Sequence, residues 1–130
     1  MGTKKIGKKK GRELKGTRVL IIEDEYYIAD DVRRLLDAAG AQVIGPYARF
    51  EQAQAAVEEN GFDFAILDLN LQGKSAAPIA DRLIERGKSF AIATGYGSRA
   101  VPKRLQKLPR IEKPFDPPAL LELIAEMSSL

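Results

Sequence analysis

Five short apolar runs, each followed by a polar stretch, divide the chain from Arg18 to its end. Val19-Leu20-Ile21-Ile22 is apolar throughout instead of alternating, the pattern of a strand buried on both faces. It stops at Glu23-Asp24-Glu25. Ile28, Val32, Leu35, Leu36 and Ala39 then recur at helical spacing up to Gly40. Gln42-Val43-Ile44 predicts a second strand ended by Gly45-Pro46, and Phe50, Ala53 and Val57 a second helix closed by Asn60-Gly61. Phe62 to Leu67 predicts a third strand stopping at Asp68. Ala76, Ile79, Ala80, Leu83 and Ile84 predict a third helix closed by Gly87. Phe90 to Ala93 predicts a fourth strand, and Ile111 lies in a short fifth before Lys113-Pro114. Leu120, Leu123, Ile124 and Met127 predict a last helix, with Asp116 as its N-cap and Pro117 at its first position. The fourth helix has the weakest pattern. Pro102 interrupts residues 97–108, at a cost of about 3 kcal/mol inside a helix, so a short or mobile helix starting near Pro102 is expected.

Strand–helix alternation of this kind predicts an α/β fold: a doubly wound, five-stranded parallel sheet with five helices. Ligands of such sheets bind beyond the carboxyl ends of the strands. Residues 18–130 form this expected domain. Residues 1–17 carry seven basic side chains against Glu13, a net of +6, with Ile6 and Leu14 the apolar side chains after Met1. They read as a basic, disordered tail. The other 113 residues carry 14 basic and 17 acidic side chains, a net of −3. The overall +3 and a pI of about 9.2 therefore describe the tail and not the domain. The tail has no apolar run of signal-peptide length, and Ile6 breaks a superficial Gly2 myristoylation match. No stretch of the chain is apolar enough to predict a membrane span.

The chain has neither Cys nor His. That excludes disulfides, a thiol nucleophile, a thiolate or imidazole metal site, a Ser-His-Asp triad and a phosphohistidine on this molecule. The chemistry falls to carboxylates, hydroxyls, lysines and backbone amides. At the strand ends stand Glu23, Asp24 and Glu25, then Asp68, Thr94 and Lys113. Carboxylates crowded into a partly dry crevice repel one another unless a divalent cation joins them, and hard oxygen donors suit Mg²⁺. A carboxylate beside Mg²⁺ can attack phosphorus and form an acyl phosphate. The cation, an ammonium and a hydroxyl can then each meet one phosphoryl oxygen.

Each residue also has a plainer reading. Glu23, Asp24 and Glu25 are consistent with capping the first helix. Asp68 alone reads as a loop acid, Lys113 as a solvated lysine, Thr94 as a turn residue and Tyr96 as a surface aromatic. Asp63 reads as a loop or strand-edge acid, and Glu58, Glu59, Arg33 and Arg34 as solvated helix faces. It is the set, in order and at strand ends, that favours the chemical reading.

With VLIIEDE at 19–25, FAILDLNLQG at 64–73, ATGYG at 93–97 and EKPF at 112–115, the chain resembles the receiver domain of two-component response regulators over about residues 17–129. The resemblance implies a flavodoxin-like strand order of 2-1-3-4-5. It implies Asp68 as phosphoacceptor, Asp24 as a direct Mg²⁺ ligand, Glu23 supporting the ion through water, and the backbone carbonyl of Asn70 as a third protein ligand. It implies that Thr94 and Lys113 each bind a phosphoryl oxygen and that Lys113-Pro114 is cis. The implied donor is a sensor histidine kinase or a histidine phosphotransfer protein. The implied activity is phosphotransfer to Asp68 and its later hydrolysis, in the cytoplasm.

Two features depart from the common receiver pattern. Arg110 occupies the position, three before the lysine, where many receivers carry a switch aromatic. Ala93-Thr94-Gly95-Tyr96-Gly97 resembles instead the FATGUY receiver subgroup of alphaproteobacteria, whose members are often stand-alone and partnered with HWE or HisKA2-type kinases. In that reading Tyr96, with Thr94, takes the signalling role. Only Ser128-Ser129-Leu130 follow the last helix, so no DNA-binding or enzymatic output domain is expected. Output then passes by protein contact at the fourth helix, fifth strand and last helix, or the protein is a phosphate shuttle or sink. Tyr96, Lys103, Arg104, Lys107 and Arg110 would give that face a basic strip suited to an acidic partner.

Three other functions fit the sequence less well. A haloacid-dehalogenase-like phosphatase needs a second Asp two residues after the nucleophile, where Asn70 stands. A nucleic-acid or membrane-surface binder acting through the tail lacks aromatic or structured support there. A receiver that is never phosphorylated conflicts with the complete strand-end set.

Overall fold

A computed structural model describes residues 13–95 and 101–128. Five parallel strands form the main sheet: β1 (Arg18–Ile22), β2 (Gln42–Tyr47), β3 (Phe64–Asp68), β6 (Ser89–Thr94) and β7 (Arg110–Glu112). Their order is β2-β1-β3-β6-β7, the expected 2-1-3-4-5 in this numbering. A two-residue-per-strand hairpin, β4 (Asn70–Leu71) and β5 (Lys74–Ser75), follows β3 directly. The α-helices are α1 (Tyr26–Ala38), α2 (Phe50–Glu59), α3 (Ala77–Glu85) and α4 (Pro117–Ser128).

Alternate strand residues serve opposite faces. Leu20, Ile22, Ala65, Leu67, Phe90 and Ile92 pack with Ala53 and Val57 of α2 and Ile79 and Leu83 of α3. Val19, Ile21, Phe64, Ile66, Ala91 and Ala93 pack with Val32 and Leu36 of α1 and Leu120 and Ile124 of α4. Every residue of β3 is buried, which is why that run carries no polar side chain before Asp68. Arg18 meets Asp63 through its backbone N–H at 2.8 Å and its guanidinium at 2.9 Å, pinning the start of β1 beside β3. Asp63 is thus a strand-edge acid with a partner, and Glu58 bridges Arg82 and Arg86 between α2 and α3. No helix among the described residues is long and apolar enough to cross a membrane.

Four expectations change. β2 does not end at Gly45-Pro46 but runs through a cis Gly45–Pro46 peptide to Tyr47. It is an edge strand, where a missing N–H is tolerated. Gly45 has φ +94°, and a Cβ there would lie 2.8 Å from the Ile21 carbonyl oxygen, so the register shift between Leu20 and Ile22 needs this glycine. The expected fourth helix is only a 3₁₀ turn, Lys103–Leu105, so the described residues hold four α-helices and not five. Leu105 is the one buried residue of the turn, too little apolar surface to hold a longer helix. Ile84 is 48% exposed, outside the core that helix spacing gave it.

The fourth change concerns the tail boundary. Residues 13–16 form a turn in which Leu14 is 1% exposed and packs with Leu36, Ala39 and Ala41. Leu14 N–H donates to Ala39 O at 2.9 Å, and Gln42 N–H to Thr17 O at 2.9 Å. Gly40, at φ +92°, allows the approach, since a Cβ would lie 3.3 Å from Lys15. Residues 13–17 therefore belong to the folded unit. Leu14→Ala should cost about 2–4 kcal/mol in a denaturation midpoint analysis, whereas Lys15→Ala should stay within about 0.5 kcal/mol.

Candidate functional site

The sheet register brings the strand ends together. Ile22 is level with Leu67, Asp68 with Ala93, and Thr94 with Glu112. Lys113 N–H donates to Thr94 O at 2.8 Å, so the lysine leaves β7 beside the end of β6. The Lys113–Pro114 peptide is cis. Glu23, Asp24, Asp68, Thr94 and Lys113 thus stand in a row along one edge. Asp24, Glu25, Asp68, Asn70, Gly73, Gly95 and Lys113 line a cleft of about 400 Å³.

The Lys113 ammonium is the centre of the row. Nζ lies 2.8 Å from Glu23 Oε1, 2.9 Å from Asp68 Oδ2 and 3.6 Å from Glu25 Oε1. Glu23 is 4% exposed and Asp68 8%. Both also accept backbone N–H groups: Glu23 Oε2 from Glu25 at 3.1 Å, Asp68 Oδ1 from Asn70 at 2.9 Å. Asp24 is on the same cluster, and one oxygen each of Glu23, Asp24 and Asp68 lies within 4.8 Å of the others. Its Oδ2 accepts the Gln72 N–H at 2.8 Å.

The electrostatics follow from three carboxylates sharing one ammonium. Burial raises the Glu23 carboxyl, the Lys113 hydrogen bond lowers it, and the Asp68 charge raises it again, leaving it at about 7. Burial pulls Lys113 down, but its hydrogen bonds to Glu23 and Asp68 outweigh that, and its pKa stands above the ordinary lysine value. A divalent cation among the carboxylates would relieve this excess of negative charge, and all-oxygen donors fit Mg²⁺. Thr94 Oγ1 is buried with no hydrogen-bond partner among the described residues. A buried hydroxyl left in this way, next to such a cleft, fits an oxygen-rich group that enters from outside.

Glu23, Asp24, Asp68, Asn70, Thr94 and Lys113 are therefore brought to one edge. Tyr96 lies outside the described residues. Arg110 is exposed on the edge strand β7. Lys103, Arg104 and Lys107 are exposed as well, but Arg104 is paired with Asp81 of α3 at 2.8 Å. Glu25 is the N-terminal flanking residue of α1 and makes no side-chain cap hydrogen bond; it lines the cleft instead. Sequence reasoning missed Gln72, because its contact with Asp24 is made by a backbone N–H and spans 48 residues.

Comparison with known proteins adds a family context. No family model matches the chain, and no curated protein matches it significantly. Among solved structures, SdrG from Sphingomonas melonis Fr1 is 35% identical, with 87% of this chain and 96% of that one covered and a TM-score of 0.76. The BeF3-activated conformation of SdrG, from Pseudomonas melonis Fr1, is 34% identical over 87% and 98%, with a TM-score of 0.72. The response regulator PhyR from Brucella abortus is 24% identical over 97% of this chain and 53% of that one, with a TM-score of 0.78. This last likeness is one of fold, and the chain spans about half the length of PhyR.

The raised Glu23 carboxyl sets a pH dependence. Between the ordinary glutamate value and about 7, the folded protein holds a proton that the unfolded chain has lost. Stability of the metal-free protein should therefore be highest at the acid end of that window and fall as pH rises through it. Urea denaturation at about pH 5 and about pH 8 in chelator checks this, and Glu23→Gln should flatten the difference.

Proposed function

The chain belongs to the receiver-domain family of response regulators, and on that premise we propose that it accepts a phosphoryl group on Asp68. The observation that carries this reading is the shared ammonium. Asp68 is buried, held between Lys113 and the Asn70 N–H, and faces two further carboxylates beside a Thr94 hydroxyl that has no partner among the described residues.

The donor is a phosphohistidine on a partner, a sensor histidine kinase or a histidine phosphotransfer protein, because this chain has no histidine. An Asp68 oxygen attacks the phosphorus, the phosphorus–nitrogen bond of the donor breaks, and the donor's imidazole leaves and takes up a proton. The product is an acyl phosphate. Asp24, with Asp68, Glu23 and the Asn70 carbonyl, would hold Mg²⁺, which when bound supplies a positive charge to the phosphoryl oxygens and lets the carboxylates stand together ionised. Lys113 gives up its bond to Asp68 Oδ2 and pairs with a phosphoryl oxygen. Thr94 donates its hydroxyl to another, a bond it does not make beforehand among the described residues. Water later hydrolyses the acyl phosphate and resets the site.

The signal leaves by protein contact. Thr94 ends β6 and pairs with Glu112 of β7, so a change at the hydroxyl reaches both the segment after Gly95 and the β7 edge. Lys103, Lys107 and Arg110 make that face basic, which suits an acidic partner. The ATGYG segment supports membership of the FATGUY subgroup, with Tyr96 as the aromatic of the switch.

Acetyl phosphate with Mg²⁺ should add one phosphoryl group to the protein, seen by intact mass, and beryllofluoride with Mg²⁺ should shift the amide signals of residues 94 and 113. Asp68→Asn should abolish both responses. Thr94→Val should slow phosphorylation by roughly a hundredfold. A response that survives Asp68→Asn would refute Asp68 as the acceptor.

A further inference from the structure

Directly after Asp68 the chain folds into the β4–β5 hairpin, and this hairpin closes back onto the neighbouring strand end. Asn70 N–H donates to Asp68 Oδ1 at 2.9 Å. Asn70 Oδ1 accepts the Gly73 N–H at 2.8 Å. Between them, Gln72 N–H donates to Asp24 Oδ2 at 2.8 Å. Asp68, the last residue of β3, and Asp24, just beyond the end of β1, are thereby joined through one six-residue turn.

The turn holds an unusual backbone shape. Gln72 has φ +56° and Gly73 φ +85°. Asn60 is the other described non-glycine residue with positive φ, and it ends a helix. Gln72 is exposed, and with Gly73 it forms the two-residue loop of the β4–β5 hairpin, where positive φ at both positions suits the tight turn. The same left-handed conformation turns the Gln72 main-chain N–H toward Asp24. Several contacts hold the turn in place. Leu71 is 2% exposed, Ala76 N–H donates to Leu69 O at 2.7 Å, and Lys74 lies 4.2 Å over the Phe50 ring and 3.5 Å from Glu51.

We infer that Gln72 is a positioning residue for the cation site, fixing the Asp24 carboxylate through its backbone N–H. The inference rests on the reading that this site takes Mg²⁺. A carboxylate has lone pairs enough to accept this N–H and still offer oxygen to a cation. Groups that orient a metal-binding side chain typically change metal affinity ten- to a hundredfold when lost. Because the donor is the backbone, the side chain at 72 matters only through the φ it permits. β-Branched residues disfavour positive φ, whereas Gly and Asn accept it.

The test is Mg²⁺ titration of the full chain, followed by amide chemical shifts. Gln72→Val should raise the Mg²⁺ dissociation constant about tenfold, while Gln72→Gly and Gln72→Asn should stay within about twofold of the parent. Unchanged affinity in Gln72→Val overturns the inference. So does a tenfold loss in Gln72→Gly, which would assign the effect to the glutamine side chain. Amide hydrogen exchange gives a second reading independent of that variant's folding. The residue 72 amide should be protected in the parent and exchange faster in Asp24→Ala, and equal exchange in the two overturns the inference. A parent protein that shows no Mg²⁺ response, with the residue 72 amide still protected, instead overturns the Mg²⁺ reading of the site.

Discussion

A single ammonium placed between two buried carboxylates organises this molecule. Glu23 and Asp68 are both buried, and a buried carboxylate needs partners to offset its lost solvation. Lys113 Nζ reaches both within 2.9 Å and gives each a charge-assisted hydrogen bond. Yet burial, and after it the Asp68 charge, still outweigh the Lys113 hydrogen bond and leave the Glu23 carboxyl at about 7. The cluster is stable enough to form and still lacks positive charge. On the function proposed here, a cation would supply that charge and a phosphoryl group would give Lys113 and Thr94 new oxygen partners.

The sheet supplies the precision. Lys113 is 45 residues from Asp68 along the chain, and the two meet only because β6 lies between β3 and β7 in register. The three inner strands, β1, β3 and β6, carry apolar side chains on both faces and are locked by packing on two layers of helix, so their ends cannot slide independently. The carboxylates and the ammonium sit where packing stops and solvent begins. Their positions are inherited from a core that has no chemical role itself.

Much of this was legible in the sequence, for a definite reason. A strand buried on both faces must be apolar along its length, so its first charged residue marks its end, as Glu23 and Asp68 do. Parallel topology then places all such ends on one edge. What escaped is of a different physical kind. Leu14 is one apolar side chain in a lysine-rich segment, and no periodicity reports that it fills a gap beside Ala39. β2 continues past Pro46 because an edge strand can spare a donor. Residues 103–105 make only a 3₁₀ turn because Leu105 alone among them is buried. The Gln72 contact with Asp24 is made by the backbone, and a pattern of side chains carries no record of it.

Arg110 illustrates how the same edge constrains signalling. Receivers with an aromatic three residues before the lysine have a ring at this place to bury or release. Here the side chain is an exposed guanidinium on the outermost strand, and burying it would leave a charge without solvent or a described partner. A switch at this position therefore cannot work by tucking the side chain inward. The buried group on the neighbouring strand is Thr94, whose hydroxyl awaits a partner and whose carbonyl already accepts the Lys113 N–H. Movement of Thr94 toward a phosphoryl oxygen would draw on the β6–β7 pairing and on the chain that continues from Gly95. On that proposed function, the physical route out of the site would begin at the end of β6, where Thr94 meets β7.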